Sequence, residues 1–164
     1  MTADEINSYI GRPWVAGARG PDAFDCWGLL AWIEREHFGI VLPERSLDAT
    51  AMRGIYREEI ESGRWRIVPR PVHGCGALLR DGDQPHVGIW LQCDGGGVLH
   101  ALEGAGVVFT RRRNLRDAGY ERTTWYEFRA SRPAAICDDD PGDRPAAPNA
   151  RPSGVRVARA DVDP

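Results

Sequence analysis

Apolar residues first recur along this chain at helical spacing. Ile6, Tyr9 and Ile10 form a short apolar face, Thr2 and Glu5 stand three apart in the pattern of a capping box, and Gly11 with Pro13 ends the segment. Residues 12–23 read as a loop rich in Gly and Arg. Cys26, Leu29, Leu30, Ile33 and His37 then fall at i, i+3, i+4, i+7 and i+11, on one face of a helix that Gly39 stops. A further helix is predicted from about Asp48 to Ser62, with Met52, Ile55, Tyr56 and Ile60 inward and Gly63 just past its end. Beyond Gly63 the period drops to two. Trp65 and Ile67 alternate with Arg, and Ala77–Arg80, His86–Cys93, Val98–Leu102, Val107–Arg112 and Thr123–Arg129 read as strands. Asp94–Gly97 and Glu103–Gly106 are short hairpin connections. Helices followed by a meander of strands predict an α+β fold with an antiparallel sheet.

Composition divides the chain. From Ser131 to Pro164 there are six Pro, five Arg, six Asp and no aromatic residue. Such a segment buries too little apolar surface to offset its ordering entropy, so 131–164 is expected to be a disordered tail. Its Asp138–Asp140 run reads as a solvated acidic stretch. Residues 1–130 are then one domain, large enough to hold a core without staples. A net charge of −3 argues against a general attraction to nucleic acid or to an anionic membrane surface. No stretch approaches the ~20 apolar residues of a membrane span, and Met1–Gly11 has no apolar signal-peptide region. The basic residues are 21 Arg and no Lys, which reads as genome composition before chemistry. Cys26, Cys75, Cys93 and Cys137 include no CxxC pair, so reduced thiols are expected, with Cys75 and Cys93 the only plausible couple. No Cys/His cluster has metal-ligand spacing and no phosphate-cradling motif is present, so neither a metal nor a cofactor is expected.

Three stretches carry candidate chemistry. Phe24–Leu30 places Cys26 where a Gly/Pro-bearing loop meets a helix. A thiol there feels the positive end of the helix and its unclaimed N–H groups, which favour thiolate and can hold an oxyanion. Pro85–Leu91 places His86 at the start of a strand, where an imidazole can take the thiol's proton and return it to a leaving group. Val98–Leu102 places His100 on the next strand, 14 residues on, within reach of His86 to fix its tautomer. Each stretch alone admits a plainer reading: Cys26 as a small core residue, His86 as a surface histidine beside a turn, His100 as a half-buried structural one. His37 and His73 read as structural, one ending a helix and the other in a Pro/Gly turn. Most of the six Trp read as core; Trp14 stands apart in the loop before Cys26.

Together, Ile10-Gly11-Arg12-Pro13-Trp14, Asp25 to Leu29, His86 to Ile89 and His100 resemble, in order, the pattern of the NlpC-type cell-wall peptidases, a papain-like cysteine peptidase family. The resemblance spans nearly all of 1–130. It implies a papain-like α+β fold with N-terminal helices, the nucleophile at a helix N-terminus, packed on an antiparallel sheet. It implies Cys26, His86 and His100 as catalytic residues, and a peptidoglycan stem peptide as substrate, cut between D-γ-glutamyl and diaminopimelate. It puts Trp14, Asp25 and Trp27 on the substrate side: Trp14 stands where many members have Tyr, and Trp27 where cellular members have a Ser that reads the free amine. Gly74-Cys75 stands where Gly-Asp is usual. Asp25-Cys26-Trp27-Gly28-Leu29 and Arg35 to Pro43 look like the phage-tail branch. That likeness implies a protein made in the bacterial cytoplasm, partnered by other tail proteins and acting at the cell wall from the tail tip. A structural tail component with little hydrolysis, and a papain-like acyl or amide transferase, are the alternatives.

Overall fold

The computed structural model describes residues 1–44, 49–81 and 84–129. The expected tail, 131–164, with Cys137 and Asp138–Asp140, lies outside the described residues, as does Asp48. Helix α1 spans Ala3–Asn7 under the capping box: the Thr2 hydroxyl accepts from the Glu5 N–H, and the Glu5 carboxylate accepts from the Thr2 N–H at 2.6 Å. It is shorter than its apolar pattern suggests. The chain turns out of the helix, and the Gly11 N–H donates to the Val107 carbonyl, so Ile6 and Tyr9 are buried while Ile10 is left exposed.

Helix α2 spans Cys26–Phe38, and Gly39, with left-handed φ of 67°, ends it. Leu29, Leu30 and Ile33 are buried as the spacing predicts, but the buried arc is wider and takes in Trp27 and Glu34. Helix α3 spans Ala49–Glu61. Tyr56 and Ile60 pack on the core, and buried Glu59 is held by Arg64, whose Nε donates to it at 2.8 Å. The Met52 side chain lies outside the described residues.

Six strands follow: β1 Trp65–Val68, β2 Gly76–Asp81, β3 Gln84–Leu91, β4 Gly97–Leu102, β5 Gly106–Arg111 and β6 Arg122–Phe128. They form one antiparallel sheet in the order β1-β6-β2-β3-β4-β5. The expected meander holds from β2 to β5. The last strand departs from it and lies between β1 and β2, where Trp65 pairs with Phe128 and their rings meet at 5.0 Å. Period-two patterning identifies strands but does not choose their partners, which the packing of these aromatic rings does here.

Both faces of the sheet centre are covered. Ile89, Leu91, Leu99 and Ala101 share a cluster with Phe24, Leu29, Leu30 and Ile33. Ala77, Leu79, Trp90 and Val98 form a second cluster with Cys75, Leu115 and Tyr120, the latter two from the segment that follows β5. Residues 97–101 of β4 are therefore buried in succession instead of alternating. Helix α2 lies on β3 and β4, so the helix that begins at Cys26 packs on the strands carrying His86 and His100. Among the described residues no helix is long and apolar enough to cross a membrane.

Candidate active site

The first turn of α2 is fixed by Asp25. Its carboxylate accepts from the Gly28 N–H at 2.6 Å, from the Gly17 N–H at 3.1 Å and from the Arg19 guanidinium at 2.7 Å. One side chain thus caps the helix and ties the preceding loop to it. The cap takes the Gly28 N–H and leaves the N–H groups of Cys26 and Trp27 outside it. Gly28 admits this arrangement because any Cβ at that position would run into the Ala18 carbonyl of the same loop. Cys26, first residue of α2, is half-buried and in no disulfide.

The two histidines meet across β3 and β4. Nε2 of His86 and Nδ1 of His100 lie 2.8 Å apart, within hydrogen-bond distance. Nε2 of His100 lies 2.8 Å from the Thr110 hydroxyl of β5. Tyr120 stacks on His86 at 5.8 Å and meets His100 edge-on at 5.6 Å. Burial lowers the pKa of His86 to about 4. Burial, then the neighbouring His86, lowers that of His100 to about 3. Both imidazoles are therefore neutral at pH 7. Gly88, two residues from His86, lets the strands come this close: a Cβ there would sit 2.7 Å from the Leu99 carbonyl and 2.8 Å from His100 Cβ. Gly88→Ala is expected to cost about 1–3 kcal/mol, as overpacking does. Thermal denaturation checks this, and an unchanged melting temperature would show that the strands part freely.

The expected site residues separate on inspection. His86 and His100 are in contact, and Cys26 heads the helix packed on their strands; among the described residues no hydrogen bond joins Cys26 to either. Trp14 is half-buried at the edge of the core, held by backbone bonds on either side: Phe24 N–H to the Pro13 carbonyl, and Val15 N–H to the Phe24 carbonyl. Asp25 and Trp27 each have a place in the scaffold. Asp25 is 5% exposed with both oxygens engaged, and Trp27 is 7% exposed with its ring against Trp65 at 6.1 Å. His37 bonds the Tyr9 hydroxyl and His73 accepts from the Gln92 N–H, so both serve the structure as expected. Thr110 and Tyr120 went unnoticed in the sequence. Thr110 had a signal: in register, Val108 faces His100 and Thr110 faces Val98, so a polar residue sits diagonal to His100. Tyr120 lies in the segment between β5 and β6, and only the folded chain brings it over His86.

Cys26, Cys75 and Cys93 are free thiols, and no group of His, Cys, Asp and Glu among the described residues could hold a metal ion. Burial raises the Cys75 pKa to about 11. Iodoacetamide is therefore expected to label Cys26 in the native protein and Cys75 only after denaturation, read by peptide mass spectrometry; native labelling of Cys75 would contradict its burial.

Comparison with curated proteins gives no match. Among solved structures, the chain is similar to the NlpC/p60 domain of the peptidoglycan hydrolase SagA, with TM-score 0.50 and 21% identity over 74% of this chain and 92% of that one. It is also similar to NlpC2 from Trichomonas vaginalis, with TM-score 0.48 and 18% identity over 68% of this chain and 40% of that one. The SagA likeness matches the arrangement seen here, helices packed on an antiparallel sheet in a papain-like fold. The model of the NlpC/P60 family, whose members are cysteine peptidases and peptidoglycan hydrolases, matches residues 11–129, from the end of the first turn through the last strand; this chain belongs to that family.

Proposed function

We propose that this protein is a cysteine peptidase that hydrolyses the stem peptides of peptidoglycan, with Cys26 as nucleophile, His86 as base and then acid, and His100 as the residue that orients His86. The observation that carries this reading is the contact between His86 Nε2 and His100 Nδ1, on strands that pack under the Cys26 helix. With Nε2 engaged, Nδ1 is the nitrogen that exchanges a proton with the thiol. The Cys26 thiol gives its proton to His86 Nδ1 and the sulfur adds to the amide carbonyl. The backbone N–H of Cys26 donates to the resulting oxyanion. His86 returns the proton to the departing amine and leaves a thioester. Water, deprotonated by His86, then adds to the thioester and frees the carboxylate and the thiol.

The family resemblance supports the bond between D-γ-glutamyl and diaminopimelate, and the description of SagA as a peptidoglycan hydrolase supports the polymer. Trp14, half-buried in the loop that leads to Cys26, is the expected substrate contact. Asp25 and Trp27 act on substrate indirectly, by holding the loop and helix on which it docks. The Trp in Asp25-Cys26-Trp27-Gly28-Leu29 and the run Arg35 to Pro43 support a tail protein of a phage or prophage, acting at the cell wall from the tail tip beside other tail proteins. Digestion of purified peptidoglycan, read by mass spectrometry, tests this. Products one water heavier, with a new amino terminus on diaminopimelate, are expected. No product favours a structural tail component, and transfer to an added amine in place of water favours a transferase.

A further inference from the structure

We infer that Thr110 is a positioning residue of this site: its hydroxyl oxygen, by accepting from His100 Nε2, supports the tautomer of His100 and, through it, that of His86 in which His86 Nδ1 is bare. The inference rests on the peptidase reading, because the task of His86 as base sets the direction of the contacts that follow. The three side chains form a chain, with His86 Nε2 to His100 Nδ1 at 2.8 Å and His100 Nε2 to Thr110 Oγ1 at 2.8 Å. His100 is 0% exposed, so a ring N–H left without an acceptor there would go uncompensated by water.

The hydrogens follow from these contacts. For His86 to accept the thiol's proton at Nδ1, its Nε2 must carry hydrogen and donate to Nδ1 of His100. That nitrogen must then be bare, so His100 carries its hydrogen on Nε2. An N–H at Nε2 needs an acceptor, and the Thr110 oxygen is placed to be one. Remove that oxygen and this tautomer would bury an N–H without an acceptor, so the other is favoured. His100 moves its hydrogen to Nδ1, where His86 Nε2 accepts it. His86 then carries its own hydrogen on Nδ1, and the nitrogen meant for the thiol is already protonated. Thr110 acts through His100 and not on the thiol, and its oxygen spares the working form of the base a buried, unpaired N–H.

Nitrogen-15 NMR of the two imidazoles reads this directly, without substrate. The parent is expected to show hydrogen on Nε2 of both rings. Thr110→Val, which keeps the shape and loses the oxygen, is expected to move both to Nδ1 and to lower kcat roughly 10–100-fold with KM little changed. Thr110→Ala is expected to move the tautomers in the same way, which covers the case of a Val variant that fails to fold. Thr110→Ser is expected to restore both tautomers and rate. Tautomers unchanged in Val and Ala, or changed with kcat intact, would overturn the inference. A parent that shows the Thr110-dependent tautomers but no hydrolysis would refute the peptidase reading and leave the relay standing.

Discussion

His86→Ala is expected to lower stem-peptide hydrolysis by at least ~1,000-fold, because nucleophile and base act as a unit and neither works without the other. His100→Ala should cost less, roughly 10–100-fold, since it only loosens the orientation of His86. The difference comes from geometry. His86 gives one nitrogen to His100 and, in the proposed mechanism, the other to the thiol, whereas His100 would meet the reaction only through the 2.8 Å contact. The acid limb of kcat/KM should lie below the ordinary histidine range, because burial holds proton uptake by His86 down to about 4. Equal losses in the two variants would give His100 a direct part in the chemistry. An acid limb at pH 6.5 or above would contradict the burial of the pair.

The second large effect concerns stability. Glu34 of α2 is 0% exposed, and neither carboxyl oxygen has a partner among the described residues. Burial raises its pKa from 4.5 to about 8, so the folded protein holds this proton at pH 7 while the unfolded chain releases it. The histidine pair works in the opposite direction, and half-buried His73 is shifted downward with it. Above pH 6.5 the unfolded histidines are bare and only the folded Glu34 holds a proton, so stability falls as pH rises towards 8. Between pH 4.5 and 6.5 the unfolded chain protonates its histidines while the folded pair stays neutral, and two protons outweigh one, so stability falls as pH drops. A maximum near pH 6.5 follows from these groups. Burying Glu34 costs up to roughly 4 kcal/mol at pH 8. Glu34→Met should remove the alkaline decline and unfold at higher denaturant than the parent at pH 8. Denaturant titrations from pH 5 to 9 check this. A parent whose stability is flat above pH 6.5, or a variant that declines in parallel with it, would show that Glu34 has a partner in solution.

Glu34 also shows where the sequence stops being legible. The spacing of Leu29, Leu30 and Ile33 marks the buried stripe of α2, but not how wide the partner sheet makes it. That width is set by β3 and β4, and it carries Trp27 and Glu34 inside. The same gap hides part of the surroundings of the site. Nothing local to Trp27 shows that its ring lies against Trp65, on a strand 38 residues away. Local signals did better. Thr2 with Glu5, and Gly39 at the end of α2, act through backbone groups within a few residues, and the structure shows both as expected. His86 and His100 were within reach because a short hairpin joins their strands. β6 was not, since its insertion between β1 and β2 is a long-range choice that alternation cannot encode. Thr110 falls between these cases: its distance from His100 follows from the β4–β5 register, which the Glu103–Gly106 turn fixes.

The most direct measurement is the release of peptides from purified peptidoglycan by the Cys26→Ala protein beside its parent, at equal concentration and with folding checked by melting temperature. Loss of the thiol removes the atom that forms the thioester, so the parent should release stem-peptide fragments and the variant none above background. Undiminished release by Cys26→Ala would contradict the assignment of Cys26 as nucleophile.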